Sequence, residues 1–115
     1  CSGLGSLRRN PDARWWIRAS DVESLVRVQS QILKQAAAAT RVGGTLVYST
    51  CTILPDENEA IVTDFLSEHP EFRQAPRETL PVGLDAALTP EGWLRCLPHI
   101  HGTDGFFGAR LERVR

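Results

Sequence analysis

Apolar residues recur at helical spacing between residues 21 and 40, where Val22, Leu25, Val26, Ile32, Leu33 and Ala36 gather on one face of a 3.6-residue repeat. In front of them, Ser20-Asp21-Val22-Glu23 has the Ser-x-x-Glu form of a capping box, and Gly43-Gly44 behind them supplies a stop. The spacing therefore predicts a helix over 21–40. Beyond the glycines the period changes. Thr45 to Ser49, centred on Leu46-Val47-Tyr48, is a short apolar run bounded by turn signals, the pattern of a fully buried parallel strand, taken here as 45–50. Asp56 and Glu59 then open a second helix that carries Ile61, Val62, Phe65 and Leu66 and closes at Pro70.

The remaining third is less regular. Phe72 to Ala75 reads as a short strand, 76–92 as a surface loop rich in proline and glycine, and Trp93 to Leu97 as another strand. Phe107, Ala109 and Leu111 alternate, which predicts a last strand with one solvated side. Residues 1–19, with Gly3, Gly5, Pro11 and an Arg8-Arg9-Asn10 turn, read as a loop leading to the apolar pair Trp15-Trp16. Loop, helix, strand, helix, strands is the order of the second half of a doubly wound α/β sheet. A strand ahead of Cys1 would make helix 21–40 a crossover between parallel neighbours about 4.8 Å apart, bringing Cys1 and Cys51 to one rim.

Composition narrows the class without naming a function. The 115 residues suffice for one domain with a modest core, and 42% hydrophobic with 23% charged content is that of a globular protein. No apolar run approaches the roughly 18 residues of a membrane span, and no signal-peptide pattern is present, so the expectation is a cytoplasmic protein without a membrane partner. A formal net charge of −1 gives no global attraction for nucleic acid; any such binding must come from a local patch. Cys1, Cys51 and Cys96 are odd in number, widely spaced and lack a CxxC, which argues against a disulfide framework or zinc module and for a reducing compartment. The chain has no methionine and opens on Cys-Ser-Gly-Leu-Gly, a turn-forming segment that ordinarily follows a strand. The expectation is the carboxyl-terminal piece of a longer protein.

The stretch LVYSTCTILPDENEA, residues 46–60, carries the candidate chemistry. A strand that ends in Ser49-Thr50-Cys51-Thr52 and restarts as an acidic helix is where open α/β sheets place ligands, outside the carboxyl ends of their strands. Taken alone, a cysteine after an apolar strand is most often a small buried hydrophobe; Ser49-Thr50 before Cys51 and the acidic 56–59 stretch after it favour the functional reading.

Four segments, in order along the whole chain, add a resemblance: CSGLG at 1–5, RRNPD at 8–12, GGTLVYSTCTILPDENEAIV at 43–62 and TDGFFGARLER at 103–113. Together they resemble the RNA cytosine-5 methyltransferases of the Sun (Nop/Sun, RsmB-like) family. The resemblance implies the second half of a Rossmann-like class I methyltransferase sheet, truncated on its amino-terminal side. It implies S-adenosylmethionine as cofactor, RNA, ribosomal RNA foremost, as partner, and carbon 5 of a cytosine as methyl acceptor.

That reaction wants a thiol. Carbon 5 is a poor nucleophile until a group adds to carbon 6 and makes it enamine-like, and the added group must later leave as the carbon 5 proton is lost; a thiolate suits both steps. By the resemblance, Cys51 of the Thr-Cys pair attacks and Cys1 assists release, although the proline that precedes the latter in the family lies outside this chain. Thr50, Asn58 and Glu59 are expected to line the base pocket or brace the catalytic loop; for Asn58 and Glu59 the plain alternative is helix capping. Arg8 and Arg9, in a loop that would overhang the pocket, are expected to touch RNA phosphate, a solvated turn being the alternative. Trp15-Trp16 have the chemistry to stack on a base, but packing beneath the following helix is expected. Cys96 and Phe106-Phe107 are assigned to the core, His99 and His101 to a loop rather than a metal site, and Asp104-Gly105 to a turn.

The family's Asp-Ala-Pro before the first cysteine, its glycine-rich loop and the acidic residues that make most cofactor contacts are outside this sequence. The chain alone is therefore expected neither to hold S-adenosylmethionine tightly nor to turn over, and its sheet edge to favour a dimer. Two rivals stand beside this reading. A DNA cytosine-5 methyltransferase would attack with the cysteine that follows proline, and a non-catalytic RNA-binding or assembly module would merely keep the fold.

Overall fold

In the computed structural model, which describes residues 1–115, the first element is a four-residue helix where the sequence suggested only loop: α1 (Ala13–Trp16). Its tryptophans do not pack under the next helix. Trp15 and Trp16 are 73% and 77% exposed, and the Arg14 guanidinium lies over the Trp15 ring at 4.7 Å. Because α1 ends after one turn, the chain extends at Ile17, and that half-buried residue takes the packing position instead.

Helix α2 (Ala19–Ala39) begins two residues earlier than the spacing predicted. The Asp21 carboxylate reaches back to accept the Arg18 N–H at 2.8 Å, so Arg18 is the N-cap and Ser20 lies inside the first turn. The helix buries Leu33 and Ala37 against the sheet, with Val26 and Ala36 beside them. After Gly43 and Gly44 the chain enters β1 (Thr45–Thr50), crosses a 3-10 turn at Pro55–Glu57 and continues as α3 (Glu59–Glu68), which buries Ile61, Val62 and Phe65. The short strands β2 (Phe72–Gln74) and β3 (Leu94–Cys96), the one-turn helix α4 (Pro98–His101) and the long strand β4 (Phe106–Arg113) complete it.

β4 is the spine of the sheet. It pairs antiparallel with β1, from Thr45 opposite Glu112 to Thr50 opposite Phe107, and also with β2 and β3. All pairings within the chain are antiparallel; the parallel neighbour expected for β1 is not among these residues, and the outer edge of β1 is open. On one face, the opposed pairs Leu46 with Leu111, Tyr48 with Ala109 and Thr50 with Phe107 are buried under α2 and α3. On the other, Val47 is 63% exposed, so β1 is a half-buried strand here rather than the fully buried one its composition suggested. Leu80, Pro81, Leu84 and Leu88 of the 76–92 segment line a cavity against that face. The two-residue period also splits the Phe106-Phe107 pair, leaving Phe107 fully buried and Phe106 at the surface. Cys96 is half-buried rather than core. Tyr48 and Trp93 pack against Phe107, and Phe65 against Phe72 with ring centroids 5.3 Å apart, each aromatic contributing about 1.5–3 kcal/mol of burial. No helix is long and apolar enough to cross a membrane.

Candidate functional site: a paired-thiol rim

Cys51 is the first residue beyond β1, and it is exposed. Its flanking residues are tied down on both sides while its own side chain stays exposed. Before it, the Thr50 hydroxyl donates to the Asn58 side-chain oxygen; after it, Asn58 Nδ2 donates to the Thr52 carbonyl at 2.9 Å, and Thr52 Oγ1 accepts the Leu54 N–H at 3.2 Å. Asn58 is buried and makes no side-chain cap for α3. Of the two roles the sequence left open for it, bracing the loop is the one the geometry fits. Thr50 is likewise buried, its hydroxyl spent on that brace.

The opening loop reaches Cys51 through glycine. The Gly5 N–H donates to the Cys51 carbonyl at 2.8 Å, and the Gly105 N–H donates to the Gly5 carbonyl at 2.7 Å. A Cβ on Gly5 would lie within 2.6 Å of the Cys51 carbonyl oxygen and closer still to that of Gly105, so the three backbones meet only because no side chain separates them. Three segments distant in sequence thus converge. The result is that Cys1 Sγ stands 3.3 Å from Cys51 Sγ, with both thiols free and exposed. A disulfide would need about 2.05 Å; this is a hydrogen-bonded pair of thiols.

Beneath the pair lies Glu57, fully buried and unassigned by the sequence. Its carboxylate accepts the Ser2 N–H at 2.7 Å, the Ser2 hydroxyl at 2.5 Å and Gln29 Nε2 of α2 at 3.1 Å. Burial pushes its pKa up, but the hydrogen bonds from Ser2, Thr52 and Gln29 outweigh it and hold the carboxyl below its usual range. The Tyr48 hydroxyl donates to the Glu57 main-chain oxygen at 2.6 Å, and burial, with the Glu57 charge nearby, keeps the phenol protonated well above its ordinary value. Within DENE the sequence offered no means of telling which carboxylate would be buried.

Other candidates are placed differently. Glu59, at the first position of α3, forms an ion pair with Arg95 of β3 rather than joining the thiols. Arg8 and Arg9 both pair with Asp104, and Arg8 also donates to the Gly102 carbonyl at 2.8 Å; the chain bends at Gly102-Thr103 rather than at Asp104-Gly105, which serve instead as a counterion and a close-packing point. Two guanidiniums share one carboxylate, and both remain about half exposed or more. His101 sits in α4, its ring nitrogens engaged by the Leu97 N–H and the Ala86 carbonyl.

Cys1 and Cys51 open onto a groove of about 480 Å³ between α2 and the free edge of β1, with Ser49, Tyr48 and Phe106 on its walls. That is within the roughly 300–1,000 Å³ of small-molecule sites. A larger concavity, about 760 Å³, lies between the start of α2 and α3 but includes neither thiol. The thiol groove contains no carboxylate able to take ribose hydroxyls and no glycine-rich loop to admit a nucleoside, so its walls do not by themselves fit S-adenosylmethionine. What these residues supply is a pair of thiols at an open rim.

Nearly the whole chain is similar to known proteins. The family model described as 16S rRNA methyltransferase RsmB/F matches residues 1–112. A probable ribosomal RNA small subunit methyltransferase B of Synechocystis sp. is 47% identical over 115 residues, covering 99% of this chain and 26% of the relative. The crystal structure of PH0851 superposes with a TM-score of 0.86 at 38% identity, over 97% of this chain and 24% of its own. That of NSun6 from Pyrococcus horikoshii with SFG superposes at 0.80 and 29% identity, over 100% of this chain and 28% of its own. The chain spans about a quarter of the length of the relatives it matches.

Proposed function

The chain belongs to the 16S rRNA methyltransferase RsmB/F family, and from that premise we propose that it forms the thiol-bearing part of an enzyme that methylates carbon 5 of a cytosine in small-subunit ribosomal RNA. The observation that carries the proposal is the 3.3 Å approach of Cys1 Sγ to Cys51 Sγ at an exposed rim. S-adenosylmethionine supplies the methyl group, and the residues that cradle it are assigned to parts of the enzyme outside this chain; the isolated chain is proposed to be inactive.

The work of this chain is to add to the ring and to leave it. Cys51 thiolate attacks carbon 6, forming the carbon–sulfur bond, and the carbon 5–carbon 6 double-bond pair becomes available at carbon 5 for methylation. For release, carbon 5 gives its proton to a base, that bonding pair restores the double bond, and the carbon–sulfur pair returns to the Cys51 sulfur. Cys1, at hydrogen-bond distance, donates its S–H to the departing sulfur and so favours departure. Arg8 and Arg9, two exposed guanidiniums that share the single Asp104 carboxylate, are assigned to backbone phosphates of the RNA.

The test uses the full-length protein and small-subunit rRNA that lacks the modification. Wild-type protein should produce 5-methylcytidine on nuclease digestion, and Cys51→Ala should reduce it to background. Undiminished methylation by Cys51→Ala, or a product other than 5-methylcytidine, contradicts the proposal.

A further inference from the structure

The two thiols are held by separate devices, and the difference has a mechanistic reading. Cys51 is fixed by Thr50, Thr52 and the Gly5 N–H through Asn58 and main-chain bonds. Cys1 has no such brace of its own. Its neighbour Ser2 is instead gripped twice by one buried carboxylate, through its main-chain N–H at 2.7 Å and its hydroxyl at 2.5 Å, while the same hydroxyl lies 3.0 Å from Thr52 Oγ1. Building on the proposed reaction, we propose that Glu57 is the positioning residue for Cys1: it fixes that sulfur against Cys51 and thereby serves release of the methylated base rather than attack upon it.

Two further features support the assignment. A carboxylate buried to zero exposure is costly unless hydrogen-bonded, and the Glu57 carboxylate accepts from one main-chain N–H and two side-chain donors. Gln29 sits on the buried face of α2, where packing alone gives no reason for an amide; its Nε2 donates to Glu57 while its Oε1 is left without a partner. Holding Glu57 accounts for an otherwise unfavourable group. Glu57 touches neither sulfur through any hydrogen bond, so it acts through Ser2 and is not a catalytic residue.

A positioning role on one thiol predicts a signature that a loss of fold does not give. The electron pair that should return to Cys51 sulfur stays in the carbon 6–sulfur bond longer, so the covalent RNA–protein intermediate accumulates. Full-length wild type, Cys51→Ala, Cys1→Ala and Glu57→Gln are incubated with unmodified rRNA and S-adenosylmethionine, and adduct is measured on denaturing gels beside turnover and thermal melting. Cys1→Ala should trap adduct and Cys51→Ala none. Glu57→Gln should melt as a folded protein, turn over roughly 10- to 100-fold more slowly, and trap adduct several-fold above wild type. Should Glu57→Gln fail to fold, Ser2→Ala, which removes only the hydroxyl contact, should trap adduct in the same direction. Folded variants that behave as wild type, or that lose turnover without trapping adduct, overturn the assignment to Glu57 while leaving the two-thiol reaction intact. No adduct from Cys1→Ala overturns the reaction reading itself, and this inference with it.

Discussion

Cys51 owes its exposure to residues that are themselves buried. Thr50, Thr52, Glu57 and Asn58 are all among the buried polar groups, each hydrogen-bonded, and together they fix a loop whose tip is left free to react. The sequence disclosed the tip better than the support. Cys51, Cys1 and Asn58 stood out in the motifs, but Glu57 did not, because burial within an acidic run depends on where a 3-10 turn places each side chain. Two predictions belong here. Gly5→Ala should destabilise the fold by about 1–3 kcal/mol in denaturant unfolding, since its Cβ would force the Cys51 and Gly105 backbones apart; the full-length variant should lose activity at temperatures where it remains folded. Glu57, whose folded pKa is depressed, contributes stability that is complete above its unfolded value of about 4.3 and fades as pH falls through the lower folded value. The stability gap between wild type and Glu57→Gln in urea melts should therefore be widest at neutral pH and close below about pH 4.3.

At the scale of elements, period and punctuation gave the right skeleton. The 3.6-residue repeat placed α2 and α3, the glycine pair placed β1, and the alternation of Phe107, Ala109 and Leu111 placed β4. What it misplaced were features set by partners. A capping box can be satisfied from either of two registers, and Asp21 chose the earlier one. One-turn helices such as α1 and α4 carry too few residues to show a period. Composition marked β1 as buried on both faces, whereas the chain covers one with helices and leaves Val47 open on the other. The junction between β1 and α3 rests on Asn58, so Asn58→Ala should cost about 1–3 kcal/mol by stranding the Thr50 hydroxyl and Thr52 carbonyl. Amide hydrogen exchange should then rise first at residues 50–54; unchanged exchange there would refute the brace.

For the whole molecule, the site is the meeting of three loops on one antiparallel spine, and the sheet ends abruptly at β1. That strand presents Val47 and an unpaired row of main-chain groups beside the thiol groove, a surface suited to a further strand. The isolated chain should therefore self-associate through β1, and sedimentation should show a dimer that a charged substitution, Val47→Glu, returns to monomer; a wild-type monomer at high concentration contradicts this. The sequence anticipated such an edge only through the family resemblance and the turn-like opening segment; the strand pattern itself records which residues favour a strand and not which strands surround it.

The proposed reaction rests on the sulfur that bonds the ring. RNA in which the target cytosine carries fluorine at carbon 5 cannot complete release, because fluorine does not depart as the proton does, so the full-length enzyme should be caught on its substrate. Protease and nuclease digestion followed by mass spectrometry should then place the nucleotide mass on the peptide containing Cys51. Its appearance on Cys1 instead, or no covalent product at all from folded enzyme, would contradict the central claim.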